Sequence, residues 1–315
     1  MTLLPAWPGV RRITRTMALG GGGLTLLGVT GVGVLVAEAR LARRWIVRRM
    51  SSAHVVDGRY DATGRSAGQA AHGLVHADVP PHSSDPVLTR PLRVAVLGDS
   101  AAAGLGADDP AATPGALLAV GLARHTGDPV DLVTATRVGA VSAELAGFVD
   151  RLEVGEVRPD VVLVIVGGND VTRRVPAGVA AGHLGDAVAR LVGGGALVVV
   201  GTVPDLSTLT SVRQPLRALA GRWSRQLAVA QTAAMLLAGG HPVDLRGLTA
   251  GEFHAEGATL FSEDRFHPSA DGYRRTMAHV VPVVLHLLEL HGPHGLPTPA
   301  DPALPAPPRS GVTDR

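Results

Sequence analysis

The sequence predicts a three-layer α/β domain, with helices covering both faces of a five-stranded parallel sheet. Two observations predict it. Five short apolar runs recur between residues 91 and 291: RVAVLG (93–98), VDLVTA (130–135), VVLVIVG (161–167), ALVVVG (196–201) and a weaker HPVDL (241–245). They show no polar alternation, as expected of strands buried on both faces in a parallel sheet. Between them lie longer stretches with helical spacing at 115–126, 141–154, 178–192 and 212–237, and a closing one at 270–290. Strand–helix alternation of this kind gives helices on either side of one sheet, and five strands are too few for an eight-fold barrel.

Composition narrows the partners. Hydrophobic residues make up 46% of the 315 residues but aromatics only 3%, so the core must be built from Val, Leu and Ala. Absence of cysteine excludes disulfides, thiolate metal ligands and a cysteine nucleophile. There is no lysine, so every basic side chain counted is arginine, and the net charge is only +2. No basic stripe interleaved with aromatics runs through the body of the chain, so a nucleic-acid partner is not expected.

Outside the α/β domain the chain divides into four stretches. Residues 1–16 form a basic tail. Residues 17–39 are expected to make one transmembrane helix, because 17–37 carry no charge and arginines flank both ends. A cleaved secretory signal is the competing reading, since Ala37-Glu38-Ala39 has the small-x-small form, but the apolar stretch is longer than such signals use. Residues 40–90 read as a basic juxtamembrane segment and linker, and the Pro-rich residues 292–315 as a disordered tail. Arginines are more numerous after the span than before it, which by the positive-inside rule keeps the domain in the cytoplasm; the margin is small, and the side stays open.

Ligands of such sheets gather beyond the carboxyl ends of the strands. After the first run comes GDS, with Ser100 at a tight turn. A serine there can lift its hydroxyl above the sheet, or serve only as a helix N-cap. After the second run, Gly139 opens the next helix, where free N–H groups favour negative charge. After the third comes GGND, with Asn169, the one asparagine of the chain. An amide donor suits a developing oxyanion because it does not titrate, whereas a turn asparagine would merely tolerate left-handed backbone. Every other turn makes do with Gly, Asp or Ser, which favours the functional reading. Before the closing helix, DRFHPS sets Asp264 three residues from His267, close enough for a carboxylate to orient an imidazole.

These four blocks, GDS, Gly139, GGND and DRFHPS, resemble the SGNH/GDSL hydrolase family in order and placement, from about Arg93 to Leu290. Two positions depart from the family pattern: Ala101 stands where its name has leucine, and Gly139 lacks the usual preceding asparagine. The resemblance implies a flavodoxin-like sheet and hydrolysis of carboxylic esters without metal or cofactor. It further implies Ser100 as nucleophile, His267 as base, Asp264 as its orienting carboxylate, and Ser100, Gly139 and Asn169 as oxyanion donors. Acyl transfer to an alcohol, and a silent membrane-tethered binding protein, are the alternative readings. A nucleotide-binding protein is disfavoured because no phosphate loop is present.

Overall fold

The computed structural model describes residues 53–54, 56–67, 90–155 and 158–291, with helical positions 38, 41, 44, 46, 48 and 49. The expected transmembrane helix, except for position 38, and the Pro-rich tail lie outside these residues. Among the described residues no helix is long and apolar enough to cross a membrane.

The central strands are β3 (Leu92–Gly98), β4 (Val130–Thr136), β5 (Val161–Ile165), β6 (Leu197–Gly201) and β7 (His241–Val243). They pair in parallel in the order β4-β3-β5-β6-β7. β5 and β6 are buried at all their positions, which is why their sequences show no alternation.

The helices are α1 (Pro114–Thr126), α2 (Leu145–Val154), α3 (Gly168–Thr172), α4 (Ala177–Gly193), α5 (Leu216–Leu237), α6 (Leu245–Ala255), α7 (Gly257–Leu260) and α8 (Ala270–His291). Alternate residues of each strand serve opposite faces. Val94, Val96 and Leu163 pack with α1 and α8, while Ala95, Leu97 and Val164 pack with α2, α4 and α5. The result is the expected three-layer arrangement, its core dominated by Val, Leu and Ala.

Two expectations need correction. The sheet is seven-stranded and mixed, because β1 (Gly58–Tyr60) pairs antiparallel to β4 and β2 (Ser66–Ala67) pairs antiparallel to β1 at the edge. Part of the segment read as linker therefore belongs to the domain. Specific bonds hold it there, with no apolar run to signal them. Asp57 accepts from the N–H and hydroxyl of Thr134 at 2.8 and 2.6 Å, and Arg59 forks onto Asp131 at 2.6 and 2.9 Å. The Tyr60 hydroxyl closes the segment by donating to the Val56 carbonyl at 2.6 Å.

The run 241–245 also stops as a strand at Val243. Asp244 instead caps α6 by accepting from Gly247 N–H at 3.0 Å, an N-cap role that ends the extended backbone. Sequence periodicity missed α6 and α7 altogether.

Candidate active site

The strand order places β3 and β5 side by side, with crossovers leaving them in opposite directions. Their carboxyl ends form the topological switch point, the crevice where such sheets take ligands. GDS follows β3 and GGND follows β5, so topology alone brings Ser100 and Asn169 together.

The turn at Ser100 begins with Gly98, whose φ is +144°. A Cβ at Gly98 would lie 1.9 Å from the Ile165 carbonyl oxygen, so only glycine lets β3 leave the sheet here. Asp99 N–H then bonds that same oxygen at 3.1 Å, and Leu105 N–H returns to the Ser100 carbonyl at 2.9 Å. Tyr273 of α8 locks the turn from outside, donating to the Leu105 carbonyl at 2.8 Å. Burial, with the nearby Asp99 and Asp264 charges, pushes the Tyr273 hydroxyl well above its ordinary range, so it stays a neutral donor.

The loop before α8 supplies the imidazole. Asp264 Oδ1 collects three donors at 2.9 Å each: the Ser262 hydroxyl and the N–H groups of Phe266 and His267. Its Oδ2 faces His267 Nδ1 at 2.5 Å. Burial works against the Asp264 charge, but the His267 bond, the His267 charge and the two backbone donors outweigh it and hold the carboxyl below its ordinary value. An ionised carboxylate only accepts, so Nδ1 must carry the proton. Nε2 is then left as an acceptor for the Ser100 hydroxyl, which lies 2.9 Å away. Ser100, His267 and Asp264 thus form one buried hydrogen-bonded chain.

Asn169 lies in α3, and its backbone is not left-handed; the positive φ nearby belongs to Gly167, at +135°. Tolerance of strained backbone is therefore not the reason for an asparagine. Its side chain donates to Asp99 Oδ2 at 3.3 Å, leaving a second amide hydrogen.

Asp99 was not singled out by the sequence reading, although it sits inside GDS. It is fully buried, and burial pushes its carboxyl up to about 6, against the opposing Ala101 N–H, the His267 charge and the Asn169 amide. Gln231 of α5 was also missed. Buried completely, it accepts from Val203 N–H at 2.8 Å and donates to the Val166 carbonyl at 2.9 Å, joining the loops that follow β5 and β6. One polar residue among several in a helical stretch gives no sequence signal of that task.

Gly139, with φ +80°, occupies the third position of a turn closed by Ala140 N–H to the Arg137 carbonyl at 3.0 Å. That position requires positive φ in this class of turn. Arg137 N–H bonds the Gly98 carbonyl at 3.1 Å, so the turn starts beside GDS. Gly139 does not line the groove at Ser100, whereas Asp99, Ser100, Asn169 and His267 do.

The groove holds about 980 Å³ of empty space, its part open to solvent included. Ile165, Val203, Leu206, Phe253, Phe266 and Met277 are among its walls, so Ser100 and His267 open onto a mostly apolar surface. α6, absent from the sequence reading, supplies Phe253. No group of three or more His, Cys, Asp or Glu suited to a metal occurs among the described residues.

A GDSL-like esterase of Mycobacterium tuberculosis is 46% identical to this chain over 178 residues, which are 56% of this chain and 57% of that protein. The match thus spans little more than half of the relative's length. The crystal structure of TesA superposes with a TM-score of 0.50 at 24% identity, covering 62% of this chain and 99% of that one, a likeness of fold. Residues 96–275, from within β3 to within α8, match the GDSL-like lipase/acylhydrolase family, and the chain belongs to that family.

Proposed function

We propose that this chain is a serine hydrolase of carboxylic esters that works through an acyl-enzyme on Ser100. The observation that carries the reading is the Ser100–His267–Asp264 chain, at 2.9 and 2.5 Å, opening onto an apolar groove. In the first half-reaction Ser100 Oγ attacks the ester carbonyl carbon while His267 Nε2 takes the hydroxyl proton. The tetrahedral oxyanion is met by the Ser100 N–H and the second amide hydrogen of Asn169, both on the groove, with the Gly139 N–H reaching towards it from the adjoining turn. Neither of those two backbone N–H groups bonds to protein among the described residues, which leaves both available.

Collapse of the intermediate expels the alcohol, which leaves with the proton held by His267. Water then attacks the acyl-enzyme, giving its proton to His267, and the acid departs as Ser100 recovers its hydrogen. Asp264 stays ionised throughout and stabilises the imidazolium that forms twice per turnover. Apolar walls suit the acyl part of the substrate, and the relative's description as a GDSL-like esterase supports ester hydrolysis.

A fluorophosphonate probe tests this reading. Labelling of wild type but not of Ser100→Ala is expected, together with loss of ester turnover. Folded wild-type protein that neither labels nor hydrolyses any of a chain-length series of 4-nitrophenyl esters would overturn it.

The charge-free residues 17–37 between arginine clusters support a membrane anchor for the domain. Retention in the membrane pellet after carbonate washing is the expected result, and release into the supernatant would remove that part of the proposal.

A further inference from the structure

Two of the proposed oxyanion donors are borne by strands that do not touch. Gly139 follows β4 and Asn169 follows β5, with β3 paired between them. Ladder bonds therefore relate these donors only through β3. A direct tie between them is made above the sheet, where the Gly139 turn meets α3.

Two side chains of this short segment reach across. Asp170, next to Asn169, is buried and receives Ser142: the N–H at 3.1 Å to each carboxylate oxygen and the hydroxyl at 3.0 Å to Oδ2. Ser142 is itself wholly buried, three residues beyond Gly139. From the other end of the segment, Arg173 Nη2 donates to the Gly139 carbonyl at 2.7 Å. One tie grips the turn behind its glycine and the other grips the glycine itself. Burial raises the Asp170 carboxyl, opposed by the Ser142 bonds and by the charge of Arg173, so the tie is held against a desolvation cost.

We propose that Asp170 and Arg173 are positioning residues that fix the Gly139 N–H relative to the Asn169 amide, so that both point at the same developing oxyanion. The proposal rests on the oxyanion-donor reading above. Neither residue lines the groove at Ser100, so Arg173 acts through Gly139 and Asp170 through Ser142, which follows the Gly139 turn. Donors of this kind work only when placed in advance, and a misplacement of about 1 Å can cost on the order of 10²-fold in rate.

The experiment compares Arg173→Ala, Arg173→Lys, Asp170→Asn and Asn169→Ala in the full chain. Each is assayed on a soluble 4-nitrophenyl ester and for affinity to a trifluoromethyl ketone, which forms a tetrahedral adduct on serine. Arg173→Ala is expected to lower kcat about tenfold with KM within about twofold, and to weaken the ketone in proportion to kcat/KM. Arg173→Lys should recover part of that loss. In an Asn169→Ala background the same change should matter less, because one of the two donors being aligned is gone.

Arg173 is exposed, so its substitution decides the matter even if Asp170→Asn fails to fold. Kcat and ketone affinity within twofold of wild type for Arg173→Ala, alongside a steep loss in Asn169→Ala, would overturn the positioning role and leave the oxyanion reading intact. An Asn169→Ala enzyme as fast as wild type would overturn both.

Discussion

Asp264→Asn is the sharpest single perturbation of the site, because its consequence can be worked out atom by atom. Oδ1 of Asp264 faces three donors and Oδ2 faces one ring nitrogen. An amide at this position will turn its oxygen towards the three donors, since the reverse orientation would set its NH₂ against all of them. The NH₂ then faces His267 Nδ1 and forces it to accept. The ring proton moves to Nε2, where it points at Ser100 Oγ, and the base becomes a donor. The geometry survives while the tautomer is wrong, a change that costs about 10⁴ in kcat in serine-protease triads, roughly 5 kcal/mol of barrier. Steady-state hydrolysis of a 4-nitrophenyl ester, with circular dichroism to check the fold, measures it. A folded Asp264→Asn enzyme within about tenfold of wild type would refute the reasoning, because His267 would then not depend on that carboxylate for its tautomer.

Two further predictions concern the turn at Ser100. Asp99 keeps its proton up to about 6, whereas an unfolded aspartate releases it near 3.8. Between those values the native state binds the extra proton, so stability from this group falls as pH rises through the window, by at most about 3 kcal/mol. Asp99→Asn lacks that loss, and urea unfolding should show its advantage over wild type growing between pH 4 and pH 7; a difference independent of pH would count against a buried, charged Asp99. Asp264 has the opposite sign. Its lowered value contributes stability that is present above the unfolded pKa and lost as pH falls through the folded one. Gly98→Ala should cost about 3 kcal/mol or more, since its Cβ would fall 1.9 Å from the Ile165 oxygen at a φ of +144°. A loss below about 1 kcal/mol would mean that the β3 exit is not rigid.

Much of the site was legible because its members sit where chemistry and local structure coincide. Asp264 and His267 are three residues apart on one loop, so their contact is a local matter that short-range pattern can carry. Ser100 and Asn169 follow apolar runs, and parallel strands put those ends on one edge. The five central strands were legible for the same reason: full burial leaves an unbroken apolar run.

What sequence could not supply is anything that depends on which distant segments meet. β1 and β2 are three and two residues long, held by Asp57, Arg59 and Tyr60 through bonds to partners 70 or more residues away or through a turn, and short polar strands carry no period. α6 announces itself only through the cap at Asp244. The pairing of Asp170 with Ser142, the bridging by Gln231 and the grip of Arg173 on Gly139 each join residues at least 28 apart.

By itself, then, the chain determined the five central parallel strands and the edge of the sheet where ligands gather, since these follow from apolar periodicity and strand polarity; the proposed roles of Ser100, His267 and Asn169 rest on motifs shared with the SGNH/GDSL hydrolases. Only the tertiary structure decided that Asn169 is helical and bonded to a buried Asp99, and that Gly139 is held from across the β3 strand. The physical reason is that hydrogen bonds between remote segments depend on where the packed layers place them, and no local pattern encodes that placement.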